Sequence, residues 1–190
     1  MRIVGRYSII FLSLLWSCTS GEKETNGGPF AGLPVIQLPA EFPAGPDAPP
    51  PATPVLKDSA FVVQFLNPTY FQEEEPQYHY HQGLIVMKKN KFTAIAFPIS
   101  HGFGYDYRLY TYTPSGQLLD TLTLAETAGD SYEQSAHMDE KGKIRTKRVY
   151  LDDSRHPLIF AYSITSEGKI EQVPVIKPRG SGWLNETGEQ

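Results

Sequence analysis

Two histidines two positions apart, in Tyr78-His79-Tyr80-His81, are the side chains of this sequence best suited by type to hold a metal. Residues two apart on a strand share a face, so His79 and His81 could present two imidazoles to one ion. Glu73-Glu74-Glu75 lies just upstream and could add a carboxylate. No third ligand is fixed by spacing, and the alternative is a polar loop or edge strand carrying solvated histidines. A second group is the loop Ser100-His101-Gly102-Phe103-Gly104-Tyr105-Asp106-Tyr107. Glycines on both sides of an aromatic ring give a mobile loop, and a ring can stack on the apolar C–H face of a sugar or peptide while polar neighbours fix orientation. His101, Phe103, Tyr105 and Tyr107 are therefore candidate ligand contacts, unless Phe103 only caps the core.

A third group is Lys141-Gly142-Lys143-Ile144-Arg145-Thr146-Lys147-Arg148, where cations alternate along a would-be strand. One basic face suits an anionic glycan, a lipid headgroup or an acidic partner. It equally suits a charged strand that discourages edge-to-edge pairing, with Glu133, Asp139 and Glu140 near enough to pair with it. No nucleophile elbow, zinc-protease helix or phosphate-binding glycine loop occurs. No catalytic residue is assigned, no cofactor is expected, and the expected role is not enzymatic.

The elements that must position these groups are short segments rich in Val, Ile, Thr, Tyr and Phe, separated by turn residues and without a sustained 3.6-residue period. Predicted strands are 60–66, 83–88, 92–99, 105–113, 118–124, 132–138, 144–151, 158–164 and 170–176. Four turns, Asn90-Lys91, Ser115-Gly116, Lys141-Gly142 and Glu167-Gly168, recur every 26 residues. They predict four consecutive hairpins in which Gly or Asn supplies the positive φ of a tight turn. The expected fold is all-β: an antiparallel meander of about eight or nine strands curled into a barrel or a two-layer sandwich. Tyr110 and Tyr112 on one face, opposite Tyr107 and Leu109 on the other, argue against a flat sheet with one wet side. The hairpin Tyr112-Thr113-Pro114-Ser115-Gly116-Gln117-Leu118-Leu119-Asp120 resembles those of repeat-rich β proteins of the Bacteroidetes, propeller lipoproteins included. A propeller is excluded by length, since even four blades need about 160 residues.

The domain expected to carry these strands spans 58–176, followed by a tail at 177–190. Ahead of it, 18–57 reads as a linker. Nine of the chain's 16 prolines lie between Pro29 and Pro54, which predicts an extended, semi-rigid spacer with no core of its own.

The first seventeen residues have the form of a signal peptide. Arg2 and Arg6 give a basic start, and Ile9-Ile10-Phe11-Leu12-Ser13-Leu14-Leu15-Trp16 forms an apolar run shorter than the ~20 residues of a membrane span. It ends in Leu15-Trp16-Ser17-Cys18, with the only cysteine of the chain at the cleavage position. A disulfide within the chain is thereby excluded. The segment resembles the lipobox of bacterial lipoproteins. That resemblance implies that Cys18 becomes the acylated (palmitate-bearing) first residue of an outer-membrane lipoprotein. Glu22-Lys23-Glu24 is similar to the acidic export signal of surface-exposed Bacteroidetes lipoproteins.

Loss of Arg2 and Arg6 leaves 15 basic against 21 acidic residues and a net charge of −6, which gives nucleic acid no footprint. The expected partners are the membrane, through Cys18, and an envelope protein or glycan. The alternatives are a metal- or haem-handling lipoprotein using His79 and His81, and a structural envelope component without a ligand.

Overall fold

The computed structural model describes residues 28–45, 48–57, 61–66, 78–102, 104–152 and 155–175. It is all-β. The strands are β1 (Ala40–Phe42), β2 (His79–Tyr80), β3 (Leu84–Lys88), β4 (Thr93–His101), β5 (Gly104–Tyr112), β6 (Leu118–Ala128), β7 (Tyr132–Met138), β8 (Lys143–Tyr150), β9 (Leu158–Ile164) and β10 (Ile170–Val173). From β4 to β10 they form a continuous antiparallel meander, with β2 and β3 end to end along the far side of β4. The path runs from β10 to β2 without closing into a barrel. Among the described residues, no helix is long and apolar enough to cross a membrane.

The 26-residue recurrence is a recurrence of geometry. In three hairpins, Thr113, Asp139 and Thr165 each accept a backbone bond from the glycine three residues on, and each donates to the carbonyl of the residue after that glycine. The side chain of the same first residue also accepts an N–H within the turn, as in Lys143 N to Asp139 Oδ1 at 2.8 Å and Lys169 N to Thr165 Oγ1 at 3.1 Å. Short polar side chains stabilise turns in this way. The β3–β4 hairpin closes through Lys89 N to Phe92 O. All four turns therefore lie at one end of the meander, and β4 joins β5, β6 joins β7 and β8 joins β9 at the other.

The sheet bends into two layers because β6 changes partners. Its first part pairs with β5, up to Ala125 opposite Tyr107, while Glu126–Ala128 pair instead with Tyr132–Gln134 of β7. Between the layers lies one core, with Ala94, Ala96 and Leu109 from the β4–β5 side meeting Ala136, Met138 and Ile144 from the β7–β8 side. The turn end is held shut by the tip of the β9–β10 hairpin. Thr111 Oγ1 donates to Gly168 O at 2.6 Å, Ile170 N donates to Asp120 Oδ2 at 2.9 Å, and Lys91 pairs with Glu167 at 2.5 Å.

The outer face of β4 and β5 is also apolar, as alternation predicts. Ile95, Phe97, Ile99, Tyr110 and Tyr112 form a second core, and Phe30, Val62, Phe65 and Leu66 cover it. Here two expectations are corrected. Within 60–66, predicted as a strand, Val62–Leu66 form instead a single helical turn of π type. A short apolar run carries no period able to separate helix from strand. Its anchor is Tyr112, whose hydroxyl donates to Phe65 O at 2.6 Å.

The second correction concerns the proline-rich segment, which from residue 28 onward contributes to the cores rather than serving only as a spacer. Pro34 and Ile36 bond to the edge of β3 at Ile85, and Pro54 and Leu56 bond to Gln82 and Tyr80. Between those contacts, β1 pairs with β7 at Ala136–Met138, in the place β6 has vacated, and Phe42 enters the inner core at 2 % exposure. Proline cannot donate to a ladder, but an extended chain can still cover an edge through its carbonyls and its non-proline N–H groups.

Candidate functional site

The departure of β6 from β5 leaves a fork at the loop end, where Asp106 and its neighbours no longer have a ladder partner on that side. The carboxylate of Asp106 takes over the lost role. Its Oδ1 accepts the backbone N–H of Thr127 at 3.2 Å and the ring N–H of His101 at 3.0 Å, and both side chains of that pair are about nine-tenths buried. A carboxylate only accepts, so His101 Nε2 carries the proton. Charged acceptors of this kind form the stronger hydrogen bonds. The fork is thus a rigid construction, with Thr127 Oγ1 further accepting Gly45 N at 2.9 Å.

Two depressions open beside it. One, of about 250 Å³, lies over the fork and is lined by Tyr78, Tyr80, His101, Asp106, Arg108 and Glu126, among others. The other, of about 490 Å³, opens at the mouth between the layers and is lined by Ser100, His101, Tyr105, Asp130, Glu133 and Leu151, with Gly102 and Gly104. They share His101, Thr127 and Gly129. The Tyr78 ring lies 5.6 Å from that of His101. Glu126 is positioned by Tyr132, whose hydroxyl donates to it at 3.0 Å. Burial, then that hydrogen bond, raise the Tyr132 hydroxyl above its ordinary value, so it remains the donor. The Arg148 guanidinium sits 4.1 Å from the centre of the Tyr132 ring and donates to Gln134 at 3.0 Å.

The expected contact residues are distributed as follows. His101 borders both depressions and Tyr105 borders the larger one. Tyr107 is corrected: it is buried in the inner core with its ring 5.5 Å from Phe42, and burial followed by Tyr105 raises its hydroxyl above the ordinary value. Strand alternation sets it beside Leu109 rather than on the surface. Phe103 lies outside the described residues, as do Cys18 and the Glu22-Lys23-Glu24 and Glu73-Glu74-Glu75 segments.

His79 and His81 occupy unlike surroundings. His79 is exposed, whereas His81 is buried with Nδ1 2.8 Å from Thr53 O and Nε2 3.0 Å from Ser100 Oγ. A metal at His81 would have to displace one of these partners. Among the described residues, no three His, Cys, Asp or Glu side chains gather as a metal site. The basic strand alternates as its sequence implies, with Lys143, Arg145 and Lys147 exposed and Ile144 and Thr146 buried. Asp139 spends its carboxylate on the turn N–H groups of Lys141 and Lys143.

Arg108, Glu126 and Thr127 are site residues without any local motif. Asp106 belongs to the loop singled out by its glycines, but its pairing with Thr127 depends on where β6 leaves β5. Comparison with protein-family models, curated proteins and solved structures finds no match.

Proposed function

We propose that this chain is an envelope lipoprotein, attached to the outer membrane through a lipid on Cys18, whose β domain binds a glycan at the fork between β5 and β6. The observation that carries the glycan reading is the lining of the smaller depression: carboxylates at Asp106 and Glu126, a guanidinium at Arg108, an imidazole at His101, and the rings of Tyr78 and Tyr80. Paired acceptors and donors suit vicinal hydroxyls, and rings suit the C–H face of a sugar. The two depressions adjoin at His101, Thr127 and Gly129, so a sugar chain bound at one has room to run into the other.

What supports the anchor is the leader: a basic start, a short apolar run and a lone cysteine. A single acyl chain binds membranes marginally, whereas two or more hold stably, and the lipoprotein modification supplies several.

The test is a glycan array probed with the full chain in detergent, alongside Arg108→Ala and Glu126→Ala. Binding to a defined set of glycans, weakened at least tenfold by either change, is the expected outcome. A blank array, or binding untouched by both substitutions, contradicts the glycan reading. Palmitate labelling lost in Cys18→Ala tests the anchor separately.

A further inference from the structure

Both ring nitrogens of the buried His81 have a partner. The Thr53 carbonyl can only accept, so Nδ1 donates its proton there at 2.8 Å. In the neutral ring, Nε2 is then an acceptor, and the group it meets at 3.0 Å is the hydroxyl of Ser100. The His79 carbonyl is a second acceptor for the same hydroxyl, at the longer 3.5 Å. Nucleophile, base and orienting acceptor thus stand in a chain of two shorter hydrogen bonds, each within the distance such catalysis needs. His81 is 8 % exposed and lies behind the serine, while Ser100 itself lines the larger depression. Gly102 and Gly104 border the same space, so backbone approaches it without a side chain in between.

We propose that Ser100 and His81 form a nucleophile–base pair that hydrolyses small acyl esters. Ser100 Oγ bonds to the acyl carbon as its proton passes to His81 Nε2. The ester C–O bond breaks, and the departing alkoxide takes that proton to leave as the alcohol. Water then adds to the acyl-serine, giving a proton to Nε2. The Oγ–acyl bond breaks, the carboxylic acid leaves, and the proton returns to Ser100. The Thr53 carbonyl holds the ring in the required tautomer throughout. Ser100 opens on the larger depression beside the fork proposed for the glycan, but the chemistry does not rest on that reading: His81 lines neither depression, and Asp106, Arg108 and Glu126 take no part.

The experiment uses the full chain in detergent, a fluorophosphonate probe that bonds to a nucleophilic serine with loss of fluoride, and p-nitrophenyl acetate. The expected result is labelling of the wild-type chain at Ser100, located by peptide mass spectrometry. Ester turnover is expected to be abolished in Ser100→Ala and lowered about 100-fold or more in His81→Gln, the range of a lost general base. Near-UV circular dichroism checks that both variants remain folded; labelling of the wild type needs no variant at all. Absence of label at Ser100, or turnover unchanged in either folded variant, overturns the proposal.

Discussion

Phe42→Ala measures whether the proline-rich segment belongs to the folded unit. Phe42 is 2 % exposed, sits opposite Ala136 on β7, and meets Tyr107 edge-to-face with ring centres 5.5 Å apart. Truncating a buried phenylalanine removes its transfer free energy and leaves a cavity, together costing about 3–5 kcal/mol. The lost edge-to-face pair accounts for about 1 kcal/mol of that. Against a total stability of about 5–15 kcal/mol, the loss is a large fraction. With a urea m-value of about 2 kcal/mol/M, the midpoint falls by about 2 M at unchanged slope. The assay is urea unfolding of the full chain followed by near-UV circular dichroism, which reports the packing of aromatic side chains. Val35→Ala is the control. Val35 lies in the same segment at 72 % exposure, and its loss should cost no more than about 0.5 kcal/mol. If Phe42→Ala also stays within about 0.5 kcal/mol, the segment does not hold the layers together and the packing argument fails.

Three further outcomes follow from the same structure. Gly168 has φ +81°, and an added Cβ would stand 2.8 Å from Leu119 Cδ1 and 2.9 Å from Phe92 Cβ, whereas Gly129, at φ +52°, faces open space. Gly168→Ala should therefore cost about 3 kcal/mol or more and Gly129→Ala only the backbone strain of about 1–2 kcal/mol; equal melting temperatures would contradict this. Tyr112→Phe leaves the Phe65 carbonyl without its buried donor and should cost about 1–3 kcal/mol, with faster proteolysis near Phe61–Leu66. Unchanged cleavage there would show that the hydroxyl does not hold the turn.

The hydrogen bond from Lys91 holds the Glu167 carboxyl below its ordinary value, so the native state favours the ionised form. Its stabilisation is present above the unfolded carboxylate range and fades as pH falls through the lower native value. Glu167→Gln should flatten the acid limb of a melting-temperature profile, and added salt should shrink the difference, since the pair is exposed. Profiles that remain parallel between pH 2 and 5 would refute the assignment.

The hairpins were legible because a turn needs particular residues. Glycine three positions after Thr113, Asp139 and Thr165 marks each tight connection in the sequence itself. The two apolar faces of β5 were legible for a similar reason: Leu109 and Tyr110 alternate across it, and both faces are covered. What lay beyond reach was anything decided by a distant partner. The three residues of β1 form a strand only because β6 leaves β7 exposed at Ala136–Met138, and the prolines around them pointed to a spacer. Phe61–Leu66 reads as a strand by composition but is one turn of helix because its aromatic and aliphatic side chains must cap Phe97 and Tyr112. Within the site, His101 and Tyr105 stood out through the glycines beside them. Arg108, Glu126 and Thr127 did not, since the fork exists only once β5 and β6 diverge. Ser100 and His81, 19 residues apart with no motif between them, meet because β2 pairs with the end of β4.

The most direct test of the central claim, that the fork between β5 and β6 is a glycan site, is amide chemical-shift mapping of the full chain in detergent during titration with oligosaccharides selected from the array. Shifts concentrated at residues 99–108 and 126–130, reduced in Arg108→Ala, are the predicted result. Saturable shifts confined to the opposite end, around Gly116, Gly142 and Gly168, or no shifts with any oligosaccharide, would contradict it.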